Sequence, residues 1–119
     1  MIGIKRIVLD SNALMMPFQF KMNLDMEIQR LVGNVEIFVP SCVLGELKRM
    51  KENEAKAALA LASKYPVVET AARGDAGVLE AAKTKEAAVL TNDQDFIDIL
   101  KKSSIPVIRM RSRQRLDFA

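Results

Sequence analysis

Four carboxylates, Asp10, Glu46, Asp75 and Asp93, are the residues of this chain best suited to chemistry. They lie far apart in sequence, yet each falls just after a strand pattern or near the start of a helix pattern. In an α/β fold such positions converge on one rim of a parallel sheet. Acids clustered without a histidine partner make a poor proton shuttle but a good cage for a hard divalent cation. Brought close together, carboxylates repel and raise one another's pKa unless a cation neutralises them. Magnesium is held by a few carboxylates plus substrate phosphate oxygens, and manganese suits the same oxygen cage. The pattern therefore points to metal-dependent phosphodiester chemistry.

Read singly, each acid has an ordinary explanation. Asp10 follows the first strand, where a polar turn residue is common. Glu46 lies in the second turn of a helix beside Lys48, Arg49 and Lys51, where a solvated side chain is expected. Asp75 follows Gly74 at a helix start, where aspartate caps free amides. Of Asp93 and Asp95, one is expected to cap the next helix and the other to be free for metal. Asn12 can orient Asp10 by hydrogen bonding, and Thr91 offers a hydroxyl to the same place. The joint pattern, with three acids at βα junctions and the fourth inside a helix, carries more weight than any one position.

The elements that must position these residues are legible as alternation. Ile4 to Leu9 reads as a buried strand, broken by the turn formers Asp10-Ser11-Asn12. Leu24 to Val32 reads as an imperfect helix stopped by Gly33-Asn34, and Val35 to Val39 as a second strand closed by Pro40. Ser41 can cap the next helix, which carries Leu44, Leu47 and Met50. Glu54 to Lys64 is an alanine- and leucine-rich helix, followed by a short third strand at Val67-Val68. Gly74-Asp75 opens a helix with Val78, Leu79, Ala81 and Ala82 as its apolar face. Ala87 to Leu90 is a fourth strand, Phe96, Ile97, Ile99 and Leu100 mark a helix, and Pro106 to Ile108 begins a fifth strand. Short, almost wholly apolar strands alternating with helices predict a parallel sheet covered on both faces.

Composition narrows the possibilities. A chain of 119 residues, half of them hydrophobic, fits one domain over residues 1–119 with a real core. There is no histidine, which excludes Ser-His triads and His-rich zinc sites. The single cysteine, Cys42, excludes an internal disulfide and fits a reducing cytoplasm. No apolar run approaches the roughly 18 residues of a membrane span, and Met1 to Asp10 reads as strand rather than secretory leader. The formal charge is +3, and setting four acids apart around a cation leaves a basic remainder suited to a polyanion. Arg109, Arg111, Arg113 and Arg115 alternate strictly. If extended, they place four guanidiniums on one face for a phosphate backbone, or else form a charged edge that discourages aggregation. Lys48, Arg49 and Lys51 form a second candidate contact.

The runs Val8-Leu9-Asp10-Ser11-Asn12, Val43-Leu44-Gly45-Glu46-Leu47, Gly74-Asp75 and Val89-Leu90-Thr91-Asn92-Asp93-Gln94-Asp95-Phe96 together resemble the PIN domain, in order and over nearly the whole chain. The resemblance implies a three-layer, Rossmann-like α/β fold with about five parallel strands in the order 3-2-1-4-5. It implies a Mg²⁺- or Mn²⁺-dependent endoribonuclease, using one or two ions and leaving 5′-phosphate and 3′-hydroxyl ends. The family's acidic quartet falls on Asp10, Glu46, Asp75 and Asp93, with Asp95 as a possible fifth member and Asn12 and Thr91 in support. Asp10-Ser11-Asn12-Ala13-Leu14-Met15, Phe20 to Asp25 and Ile105 to Arg109 resemble small archaeal PIN proteins related to the eukaryotic precursor-rRNA endonuclease. The implied partners are RNA, a second copy of the chain, and a ribosome-assembly factor or an antitoxin. A toxin-type ribonuclease held by an antitoxin and a catalytically silent RNA-binding PIN protein are the alternatives. A phosphoacceptor receiver domain fits poorly, since Pro40-Ser41 follows the second strand and no lysine precedes the last. A haloacid-type phosphatase would need aspartate where Asn12 stands.

Overall fold

Strands that lack a polar face need cover from both sides, and the helices between them provide it. The computed structural model describes residues 3–119; Met1 and Ile2, which open the leading segment read above, lie outside the described residues. In chain order the elements are β1 (Arg6–Leu9), α1 (Ser11–Phe20), α2 (Leu24–Val32), β2 (Glu36–Pro40), α3 (Ser41–Arg49) and α4 (Asn53–Ala62). There follow β3 (Val67–Val68), α5 (Gly74–Lys85), β4 (Ala88–Leu90), α6 (Gln94–Lys102), β5 (Val107–Ser112) and β6 (Arg115–Phe118). The strands form one sheet in the order β3-β2-β1-β4-β5-β6. All neighbours run parallel except the β5–β6 pair, which is antiparallel. The order expected for five strands is therefore present, and β6 is an addition to it.

Register sets the rim. Leu9 pairs with Leu90 across β1 and β4, and Leu90 with Ile108 across β4 and β5. β1 and β4 thus end level, before Asp10 and Thr91, while β5 runs on past Arg109 to Ser112. Ile7, Leu9, Leu90 and Ile108 are fully buried, together with Leu14, Met16, Ile28, Leu47, Phe96, Ile97, Leu100 and Leu116 from the flanking elements. Each such side chain removed from water stabilises the fold by about 1.5–3 kcal/mol. Ala55, Ala58 and Ala62 form the buried face of α4, and their small side chains let α1 pack closely on it.

Several local expectations are corrected. The turn formers after β1 start a helix at once: Asp10 is the N-cap of α1, accepting from the Ser11 amide, and the helix continues through Pro17 to Phe20. Ser41 does not cap α3; its hydroxyl oxygen accepts from the Thr70 amide at 2.9 Å and ties the β3–α5 loop down. The Arg109–Arg115 run is not one extended face. It turns at Arg113-Gln114 and returns as β6, with a bulge between Met110 and Ser112. The far edge is tied to α2: the Leu116 amide donates to Glu27 Oε1 at 3.0 Å, and Arg30 Nη2 donates to the Leu116 carbonyl at 2.6 Å. The other edge is the two-residue β3, too short to template further pairing. Among the described residues, no helix is long and apolar enough to cross a membrane.

Candidate active site

Beyond the level ends of β1 and β4 the sheet opens into a notch beside the continuing β5, and side chains take up the hydrogen bonding where the backbone ladder stops. The Asp10 amide still reaches the Leu90 carbonyl, at 3.2 Å, and the Thr91 amide the Ile108 carbonyl, at 3.1 Å. Past that level, Asn12 Oδ1 accepts from the Asn92 amide at 2.9 Å, and Asn92 Oδ1 accepts from the Met110 amide at 2.8 Å.

Asp10 forms the floor of the notch and is 7% exposed. Its Oδ1 accepts from the Ser11 amide at 2.7 Å. Its Oδ2 accepts from the Thr91 hydroxyl at 2.8 Å and from Asn12 Nδ2 at 3.1 Å. The fully buried Thr91 hydroxyl oxygen in turn accepts from Asn12 Nδ2 at 3.1 Å and from the Asp93 amide at 3.2 Å. Burial pushes the Asp10 carboxyl above its ordinary range against the lowering effect of the Thr91 and Ser11 bonds, and the charges of Glu46 and Asp75 push the same way.

The other acids stand around this floor. Asp93 is the N-cap of α6: its Oδ1 accepts from the Asp95 and Phe96 amides at 3.1 and 3.4 Å, and it is exposed. Asp93, not Asp95, is thus the capping residue, and it does so with one oxygen. Asp95 is exposed in the first turn of α6. Glu46 is half-buried in the second turn of α3. Asp75 makes no capping bond, and α5 begins after Arg73 with Gly74 at φ +59°. Burial raises the Asp75 carboxyl, and the charges of Asp93, Glu46 and Asp95 raise it further. Asp10 thus feels the charges of Glu46 and Asp75, and Asp75 those of Asp93, Glu46 and Asp95. Among the described residues no three acids or cysteines are close enough to enclose a metal ion as the side chains stand. The donor set nonetheless fits a hard divalent cation: all ligands are oxygens, the deepest is held in place by hydrogen bonds, and their mutual repulsion is what a cation would relieve.

Two features that set α3, which carries Glu46, against α5, which carries Asp75, have no signal in the sequence. Gly77 gives α3 and α5 a close approach, since a Cβ there would lie 2.5 Å from Cys42 Sγ and 2.6 Å from the Ala72 carbonyl oxygen. Glu80 then locks the loop ahead of Asp75, accepting from the Ala71 amide at 3.0 Å and the Ala72 amide at 2.9 Å. Asn92 likewise gives no sign in the sequence of the bond it accepts from the Met110 amide.

The basic candidates divide. Arg109 is half-buried, and its Nη1 donates to Gln94 Oε1 at 3.1 Å, beside the Asp93 cap. Arg111 is paired with Asp117 at 2.8 Å. Arg113 stands in the turn and Arg115 on β6, both exposed. Lys48, Arg49 and Lys51 are exposed just past Glu46, at and beyond the end of α3.

A six-stranded, mostly parallel sheet flanked by helices, with a carboxylate notch at its carboxyl rim, is the arrangement of a PIN-like domain. The chain belongs to this family: residues 7–113 match the family described as "PIN like domain". It is 33% identical to "Ribonuclease VapC4" of Methanocaldococcus jannaschii, over 95% of either chain. It is 27% identical to "Ribonuclease VapC9" of Archaeoglobus fulgidus, over 92% of this chain and 85% of the relative. The fold matches that of the PIN domain endonuclease Utp24 with a TM-score of 0.81 at 18% identity, covering 96% of this chain and 92% of the other.

Proposed function

We propose that this chain is a divalent-metal-dependent endoribonuclease, hydrolysing RNA phosphodiester bonds to 5′-phosphate and 3′-hydroxyl ends. The observation that carries the reading is the buried Asp10, its carboxylate fixed by Thr91 and Asn12 at the floor of a notch ringed by Glu46, Asp75 and Asp93. The two ribonuclease relatives, matched over almost their whole lengths, support hydrolysis over a silent scaffold.

Asp10, Glu46, Asp75 and Asp93 would hold one or two Mg²⁺ or Mn²⁺ ions, with Asp95 at the margin; such an ion acidifies water and neutralises charge on the phosphate. The chain's own contribution is orientation. Thr91 and Asn12 hold one oxygen of Asp10, and the Ser11 amide holds the other. Asp93 is anchored through Oδ1 to the amides of α6, which leaves Oδ2 as its free donor atom. Arg109 at the notch, and Lys48, Arg49 and Lys51 on the α3 side, are placed to bind phosphates flanking the cut. Precursor-rRNA processing and an antitoxin-held ribonuclease would use the same notch, and a cytoplasmic setting suits either.

The test is cleavage of a labelled single-stranded RNA with Mn²⁺ by the purified chain and by Asp10→Asn and Asp93→Asn. Wild type should cut, leaving 5′-phosphates, and Asp10→Asn should lose at least about a hundredfold in rate while keeping its fold and RNA binding. Intact RNA with wild type, or equal rates in all three proteins, would refute the reading.

A further inference from the structure

The β5–β6 turn and the end of α1 enclose a cleft of about 850 Å³ lined by Gln19, Phe20, Lys21, Ser112, Arg113 and Gln114. It combines one aromatic ring packed on the core, two cations, two carboxamides and a hydroxyl, with no carboxylate. Those are the groups that recognise an unpaired nucleotide: a ring for stacking, cations for phosphate, and amides for base edges.

Arg113 and Lys21 are both exposed and, like most cations among the described residues, enter no ion pair, so their charge is available to a phosphate; Arg111 beside them is paired with Asp117. Lys21 also closes α1 in the left-handed region, at φ +53° and ψ +41°. Glycine is the favoured residue there, so the lysine carries a small strain, as Glu86 does where it closes α5 in the same way.

Both walls lead back to the notch. Asp10 caps α1, whose ten residues span about 15 Å. From Arg109, level with the strand ends, four residues along the hairpin reach Arg113, about 13 Å away. The cleft therefore lies a few nucleotides from Asp10, with Arg109 between them.

We propose that this cleft seats one unpaired nucleotide of the RNA, flanking the bond that is cut. The proposal rests on the ribonuclease reading, and its test separates the two. Binding of a labelled single-stranded RNA and of a duplex RNA is measured with the full chain in EDTA, for wild type, Phe20→Leu, Phe20→Ala, Lys21→Gly and Arg113→Gln. Cleavage with Mn²⁺ is measured on a long RNA and on one too short to reach the cleft. Phe20→Ala and Arg113→Gln should each weaken single-strand binding by about fivefold or more and leave duplex binding unchanged. Phe20→Leu, which keeps the packing but not the ring, should weaken single-strand binding likewise, and it carries the test if Phe20→Ala is poorly folded. Arg113→Gln should lower the salt slope by roughly one phosphate contact, and Phe20→Leu should not change it. Lys21→Gly should bind more weakly with an unchanged or higher Tm, and all variants should cut the short RNA at the wild-type rate. If wild type cuts RNA but the variants bind single strands as it does, or lose single-strand and duplex binding equally, the cleft is not a nucleotide seat. If wild type neither binds nor cuts RNA, the ribonuclease reading itself fails and takes this proposal with it.

Discussion

Gly77→Ala sets two effects of opposite sign against each other. Alanine is the better helix former by about 1 kcal/mol, so propensity alone predicts a more stable protein. The site says otherwise. The new methyl would stand 2.5 Å from Cys42 Sγ, 2.6 Å from the Ala72 carbonyl oxygen and 3.1 Å from its carbon, all inside ordinary contact. Cys42 is a short side chain on α3, and the Ala72 backbone cannot retreat easily because Glu80 holds its amide at 2.9 Å. Relief must come from moving α5 away from α3, and overpacking of this kind costs up to about 3 kcal/mol. The net expectation is a loss of about 2 kcal/mol, or a fall in Tm of about 8 °C for a chain of this length. Because Glu46 is on α3 and Asp75 on α5, the same displacement widens the notch, so Mn²⁺-dependent cleavage should fall as well. The double variant Cys42→Ala, Gly77→Ala relieves only the sulfur contact and should recover part of the stability. Thermal melts and cleavage rates of the three proteins decide it. A Gly77→Ala protein that melts at or above the wild-type temperature refutes the packing argument.

Thr91→Val keeps the shape of the side chain but removes the 2.8 Å donor to Asp10 and the acceptor for Asn12 and the Asp93 amide. It should cost about 2 kcal/mol by denaturant unfolding and lower cleavage about 10- to 100-fold, and a variant indistinguishable from wild type would contradict the positioning role. Mn²⁺ at about a hundred times its Kd should stabilise the chain by about 2.7 kcal/mol, close to 10 °C in Tm, and Asp10→Asn should erase the shift. An equal shift in that variant would place the ion elsewhere. Tyr65→Phe tests a carboxylate outside the notch. Burial tends to raise Asp25, but hydrogen bonds from Lys64 at 2.7 Å and Tyr65 at 2.6 Å outweigh it and hold the carboxyl below its ordinary 3.8. A lowered carboxyl lends stability that is complete above its unfolded pKa and disappears as pH falls through the folded one. The wild-type advantage, about 1 kcal/mol for a partly exposed pair, should therefore hold from pH 8 to 5 and fade below about 3.8. An advantage that grows on acidification would reverse the assignment.

What the sequence conveys is uneven, for physical reasons. The central strands are legible because buried parallel strands are wholly apolar, and Asp10 and Asp93 stand out as candidates because they come one and three residues after such strands. The first helix is hidden because Ser11 and Asn12 favour turns and Pro17 sits inside it, while Asp10 supplies the cap that starts it anyway. The return strand is hidden because Arg113-Gln114 carries neither glycine, proline nor asparagine, so the arginine alternation reads as one continuous run. Asp75 resembles a helix cap in sequence, and only its place in the fold accounts for a carboxyl raised by burial first and then by the charges of Asp93, Glu46 and Asp95. The positioning roles of Gly77, Glu80 and Asn92 depend on contacts between elements, which no local spacing encodes.

The two asparagines at the rim have a broader consequence. Opening a gap between paired strands normally strips main-chain donors and acceptors of their partners, and such groups tend to draw the gap shut or admit water. A carboxamide is a peptide group on a short stalk, and Asn12 and Asn92 insert such groups where the next rungs would be. The opening is thereby a finished surface rather than a frayed end. The backbone frame of the opening is thus fixed, and what remains for an arriving cation to arrange is the carboxylate side chains, which still have to draw together.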